Sequence, residues 1–278
     1  MNYKIKYDSL RQEGLKPVFE ALENSFDKLG IDFYLVGAIA RDTWFVKNGI
    51  EPLGTKDIDF AIYIPSKEDY KSLIDDLVKY ENFNTSTENE FVVFSPDGTQ
   101  VDLLPFGAIE IEDKVMIDGI GLSKIAVNGF REVYKNGLEE IEFDNSQTFK
   151  VCSLPSIVIL KLIAYDDRPE IRQKDIQDIR LILNHYFDIE TELIYEQHND
   201  LFENDRKLSI IAARVIGREI KIILNESKEL ENRIINILEA EVSDVKKSKI
   251  AELMVAGTEK SISSSITLLN ELLKGIVE

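Results

Sequence analysis

Three carboxylates stand in stretches that otherwise have the apolar character of β-strands. Asp57-Ile58-Asp59 runs into Phe60-Ala61-Ile62, and Asp102 lies between Val101 and Leu103-Leu104. A carboxylate in such surroundings is costly to bury unless positive charge stands against it. Side chains two apart on a strand share a face, so Asp57 and Asp59 point the same way. Asp102, on a neighbouring strand, completes a set of three hard oxygen donors of the kind magnesium prefers. Two such ions, about 3.5 to 4 Å apart, activate an attacking hydroxyl and neutralise a leaving pyrophosphate. The chemistry these residues specify is therefore transfer of a nucleoside monophosphate from a triphosphate. Asp102, closest to the incoming hydroxyl, suits the role of general base.

Upstream, Gly37 separates the apolar run Phe33-Tyr34-Leu35-Val36 from a helical pattern over 38–46. A residue without a side chain at that junction lets a phosphate approach the free N–H groups of the helix start. Arg41, one turn in, carries a permanently charged fork that leans back towards that start. An isolated Asp-Ile-Asp is more simply the exposed face of an edge strand. Gly37, Arg41 and a spacing of about twenty residues, which returns the chain on an adjacent strand, favour the metal site.

The elements that position these residues follow from periodicity. Leu15, Val18, Phe19, Leu22 and Phe26 line one side of a helix over 10–29 that ends at Gly30. Residues 33–36 and 57–64 are strands, and Ser66 is the N-cap of a helix through about Tyr80. Strands over 91–94 and 100–106 pair across Pro96-Asp97-Gly98, a turn signal. Further short strands are expected within 114–122 and 139–151. After Ser153-Leu154-Pro155 the pattern turns almost wholly helical, with five or six helices expected. The fold class is α+β: a short mixed sheet backed by helices over residues 1–152, then a helical domain over 153–278.

Composition bounds the rest. At 278 residues and 44% hydrophobic the chain can bury a full core. No apolar run approaches the roughly 18 residues of a membrane span, and Met1 to Asp8 lacks a signal-peptide core. A cytoplasmic location and no membrane partner are expected, and the lone Cys152 permits no intramolecular disulfide. With 33 Lys plus Arg against 51 Asp plus Glu the net charge is −18, which disfavours nonspecific binding to DNA or RNA. Local basic clusters remain at Arg168, Arg172, Lys174 and Arg180, and at Arg206, Lys207, Arg214 and Arg218. His185 and His198 lack a second ligand at metal spacing, Cys152 lacks a nearby His, and Trp44 sits among core residues. A Walker A pattern and a Rossmann glycine fingerprint are both missing.

Tyr34-Leu-Val-Gly-Ala-Ile-Ala-Arg-Asp42, Thr55-Lys-Asp-Ile-Asp-Phe60 and Val101-Asp-Leu-Leu-Pro-Phe-Gly107 together resemble the nucleotidyltransferase superfamily with the DNA polymerase β type core, and within it the AbiEii/AbiGii toxin branch. Lys161-Leu-Ile-Ala164, Arg168 and Lys174-Asp175-Ile-Gln-Asp178 follow that branch's pattern in the helical half. The resemblance covers residues 31–185 well and the remainder in helical character alone. It implies two magnesium ions on Asp57, Asp59 and Asp102, with Gly37, Ala38, Arg41, Thr55, Lys161, Arg168 and Asp175 serving the nucleotide. Lys161 and Asp175 match positions associated with activity in this branch. Lys161 amid Val158 to Ile163 is costly to bury without an anion, which is either a nucleotide phosphate or a structural partner such as Asp178. Asp175 and Asp178 alternatively orient Lys161 and Arg168.

Where many family members have Gly-Ser or Gly-Gly, this chain has Gly37-Ala38, which offers backbone N–H groups and no hydroxyl. Thr55, Thr43 and Ser153 are other hydroxyl donors, or ordinary turn and cap residues. The expected partners are an NTP and an acceptor hydroxyl on an RNA end, such as tRNA, or on a protein side chain, with an antitoxin protein if the chain is a toxin. The competing class is a catalytically silent relative that binds a nucleotide or a partner.

Overall fold

A computed structural model describes residues 4–11, 14–119, 121–144, 147–244 and 246–278. The chain divides into two compact units, 1–134 with 138–152, and 135–137 with 153–278.

The first unit begins with helix α1 (Leu15–Leu29), whose buried side is the stripe Leu15, Val18, Phe19, Leu22 and Phe26. Gly30, left-handed at φ 64°, stops it and returns its N–H to Asp27 and Phe26. Residues 12–13 of the expected helix lie outside the described residues, and Tyr7–Leu10 form a 3₁₀ turn. Strand β1 (Phe33–Val36) passes directly into α2 (Gly37–Lys47), and β2 (Asp57–Tyr63) into α3 (Lys67–Tyr80). Ser66 caps α3 by accepting the Asp69 N–H, as its position predicts.

Beyond α3 come β3 (Asn84–Thr85), β4 (Val92–Phe94) and β5 (Gln100–Phe106), the last two joined by the Pro96-Asp97-Gly98 turn. The short strands expected within 114–122 form a separate two-stranded ribbon, β6 (Lys114–Met116) with β7 (Lys124–Ala126) just beyond that stretch, closed where the Ile117 N–H meets the Ser123 carbonyl. A helix that periodicity did not flag, α4 (Phe130–Asn136), precedes β8 (Leu138–Glu142) and β9 (Thr148–Cys152), a hairpin filling the 139–151 stretch.

The main sheet is mixed, in the order β3-β4-β5-β2-β1-β9-β8. β2 is antiparallel to β1 and parallel to β5. On one face Phe33 and Phe60 join Phe19, Phe26 and Phe149 in an edge-packed aromatic cluster. The pleat puts Asp57, Asp59 and Asp102 on the other face, the one that also carries Tyr34 and Phe106. Trp44, 2% exposed, donates its indole N–H to the Cys152 carbonyl at 2.7 Å, which fastens α2 to β9 and makes both residues core, as expected.

The second unit holds α5 (Leu154–Asp167), α6 (Gln173–Ile189), α7 (Thr191–Gln197), α8 (Leu208–Ile223), α9 (Lys228–Ser243), α10 (Lys249–Val255) and α11 (Ile262–Val277), seven α-helices among the described residues rather than five or six. α5 is buried on all sides, which is why its sequence is apolar without a polar stripe. α8 and α11 cross at Gly217 and Gly275. A Cβ on either would stand 2.1 Å from a backbone oxygen of the other helix, Leu272 or Arg214. No described helix is long and apolar enough to cross a membrane.

Candidate active site

Asp59 sits mid-sheet, with Val36 of β1 opposite it on one side and Asp102 of β5 on the other. Asp57 stands opposite Gln100 in the same parallel ladder. The intervening Ile58 and Val101 are fully buried on the opposite face, so the pleat alone brings the three acids to one surface.

Each acid has a local partner. The Thr55 hydroxyl donates to the Asp57 carboxylate. The Gln100 amide donates to Asp102 Oδ1 at 2.8 Å. Asp59 lies against the backbone of Gly37: a Cβ there would meet Asp59 Oδ2 at 2.1 Å. Gly37 is also left-handed, at φ 69°. The absent side chain thus admits the Asp59 carboxylate, an addition to its expected role of opening the helix start to a phosphate. Ala38 follows it, half-buried, in the first turn of α2. In donor type, shared face and strand register the three acids fit a hard divalent cation. Their side chains are not gathered around a common point, however. Among the described residues no group of three or more His, Cys, Asp or Glu side chains is arranged closely enough to hold a metal ion.

Beneath the sheet, the Tyr70 hydroxyl donates to the Glu90 carbonyl at 3.0 Å. Burial raises its pKa well above the ordinary phenol value, and the Glu90 and Asp102 carboxylates add to that.

Arg41, expected to contact the triphosphate, lies one turn into α2. It is 2% exposed, and its guanidinium meets Asp42 Oδ1 through Nε at 2.8 Å and through NH2 at 2.7 Å. Asp42 is fully buried, and its other oxygen accepts the Gly54 N–H at 2.9 Å. The guanidinium is thereby held beside Asp42 within the unit. The sequence shows its charge and leaves its burial hidden.

In the helical unit, Lys161 of α5 is buried between two carboxylates of α6, with Nζ 2.6 Å from Asp175 Oδ1 and 2.7 Å from Asp178 Oδ2. Burial alone lowers the pKa of a lysine, but the Asp178 and Asp175 charges outweigh it and raise the value above the ordinary one. Lys161 therefore has the structural partner that its surroundings demand. Asp175 Oδ2 has no hydrogen-bond partner, and Arg172 NH1 stands 3.9 Å from it. Arg168 forms the C-cap of α5, half-buried. His198 is 7% exposed between Arg218, 3.2 Å from Nδ1, and Glu219, 3.4 Å from Nε2, which agrees with a structural histidine. Two residues that sequence reasoning passed over, Asp42 and Gln100, hold the acid face or the segment leading to it. Their signal was adjacency: Asp42 follows Arg41, and Gln100 precedes Asp102 by one pleat.

A mixed sheet that presents three acids on one face, beside a strand–glycine–helix junction, is the construction of a nucleotidyltransferase. Residues 21–254 match the family described as nucleotidyl transferase AbiEii toxin, type IV TA system, and the chain belongs to that family. Among solved structures it is similar to the antibiotic-resistance factor ANT(2'')-Ia at 12% identity, covering 68% of this chain and 96% of that one with a TM-score of 0.41. It is also similar to the Thermotoga maritima CCA-adding enzyme complexed with tRNA, at 12% identity over 96% of this chain and 81% of that one, with a TM-score of 0.27. No curated protein matches the sequence.

Proposed function

We propose that this nucleotidyltransferase moves a nucleoside monophosphate from an NTP to an acceptor hydroxyl with the help of magnesium. The observation that carries the reading is the ladder in which Asp59 and Asp102 face each other, with Asp57 one pleat away on the same surface. Asp57, Asp59 and Asp102 would hold the divalent cations, which supply Lewis-acid activation and charge neutralisation when bound. Asp102 accepts the proton of the attacking hydroxyl, as a carboxylate at the edge of the set is suited to do. The N–H groups of Gly37 and Ala38, at the positive end of α2, receive the phosphates. Arg41, expected to contact the triphosphate, stands in the same helix paired with the buried Asp42. Lys161 stays protonated beside Asp175 and Asp178, and the lysine–aspartate pairing that the family pattern associates with activity is kept as a unit.

The acceptor is a hydroxyl of an RNA end such as tRNA, or of a protein side chain, and the family supports a toxin role countered by an antitoxin. Incubation with each of the four labelled NTPs, magnesium and cell extract tests the proposal. Label should enter a nuclease-sensitive or protease-sensitive product with the wild-type chain and vanish with Asp57→Ala. Absence of transfer from all four NTPs would favour the silent, binding-only alternative.

A further inference from the structure

The Arg41–Asp42 pair calls for an explanation. Both side chains are almost wholly shielded from water, at 2% and 0% exposure. Buried ion pairs contribute little net stability, and apolar side chains of similar volume usually serve as well. Asp42 offers something an apolar residue lacks: an oxygen that receives the Gly54 N–H across twelve residues of chain. Gly54 belongs to the irregular segment 48–56 that leads from α2 into β2, and it turns there in the left-handed region at φ 74°. The start of the segment is tied to α2 by the Gly49 and Ile50 N–H groups, which meet the Val46 and Phe45 carbonyls, and Glu51 pairs with Arg11 at the surface, a weak tether. The residue after Gly54 is Thr55, whose hydroxyl donates to Asp57 and whose oxygen lies 3.5 Å from the Asp57 N–H. Hydrogen bonds at the two successive residues Gly54 and Thr55 thus link the core of α2 to one acid of the candidate site.

We propose that Asp42 is a positioning residue for Asp57: it anchors Gly54 so that the Thr55 hydroxyl holds the Asp57 carboxylate on the acid face, while Arg41 neutralises Asp42 inside the unit. The proposal rests on the reading that Asp57 helps to bind a divalent cation. Carboxylates that ligate metals are themselves held by hydrogen bonds, and loss of such support costs roughly ten- to a hundredfold in metal affinity.

The test is a titration of the purified chain with Mn²⁺ alone, followed by electron paramagnetic resonance, alongside thermal unfolding of each variant. Thr55→Val should weaken Mn²⁺ binding about tenfold without a matching loss of thermal stability, and Thr55→Ser should restore it. The double variant R41L/D42L removes the Gly54 acceptor without leaving an unpaired charge, so it should weaken binding by a similar factor. R41L/D42N returns an acceptor oxygen and should bind within about twofold of wild type. Asp57→Asn is the control for the underlying reading. If D57N abolishes Mn²⁺ binding while T55V and R41L/D42L bind as wild type does, the positioning role is overturned and the site reading survives. If D57N binds like wild type, the site reading falls and the positioning role with it. Should R41L/D42L fail to fold, the T55V and T55S pair decides, and equal affinity in those two overturns the proposal.

Discussion

Replacing Gly37 by alanine separates two costs that the structure places at one residue. The first is backbone strain, because φ is 69° there and an L-residue in the left-handed region costs about 1–2 kcal/mol. The second is steric. The new Cβ would stand 2.1 Å from Asp59 Oδ2 and 2.8 Å from its Cγ, so either the carboxylate swings away or α2 retreats. Overpacking of this kind costs about 1–3 kcal/mol. Gly30 supplies the control in the same unit: its φ is 64°, and nothing lies within 4 Å of the place a Cβ would take. Gly30→Ala should therefore lose only the first cost, and Gly37→Ala roughly 2–5 kcal/mol in all. For a unit of this size the G37A midpoint should drop by about 5–15 °C in calorimetry, against a few degrees for G30A. Displacing Asp59 by even an ångström should also slow nucleotide transfer about a hundredfold, whereas G30A keeps its rate. Equal losses of stability in the two variants, with G37A transferring at more than a third of the wild-type rate, would refute the close contact between Gly37 and Asp59.

Lys161→Met should destabilise the helical unit by about 3–5 kcal/mol in chemical denaturation, because Asp175 and Asp178 would remain buried beside an uncharged side chain. The folded pKa of Lys161 is raised, so the stabilisation it gives is complete below its ordinary value of 10.5 and declines only as pH climbs through the folded value. The difference between wild type and K161M should accordingly stay flat from pH 6 to pH 9 and narrow in strong alkali. Gly217→Ala should force α8 and α11 apart, costing about 1–3 kcal/mol, read as an earlier loss of helical circular dichroism.

Much of the sheet was legible because its signals are local. The pleat of β2 follows from two-residue alternation, the β4–β5 turn from Pro-Asp-Gly, and the start of α3 from Ser66 three residues before Asp69. The short strands expected within 114–122 and 139–151 form a ribbon and a hairpin, with the second strand of the ribbon lying beyond the expected stretch at Lys124–Ala126. The partners of Lys161 were half visible, since Asp175 and Asp178 fall three apart and so on one side of a helix. Arg41 was the residue whose surroundings the chain concealed. Spacing from a glycine puts a guanidinium near a helix start, but whether it faces solvent or its own neighbour depends on what the fold packs over it.

Trp44 is the one tryptophan in the chain, seated on the helix that starts at Gly37 and bonded through its indole to Cys152. Its emission therefore reports from within the sheet-bearing unit. Far-ultraviolet dichroism is weighted the other way, towards the α-helices beyond residue 153. Recorded together during denaturation, the two signals assign each transition to its own half of the molecule, and divergent midpoints would mark the halves as independently cooperative.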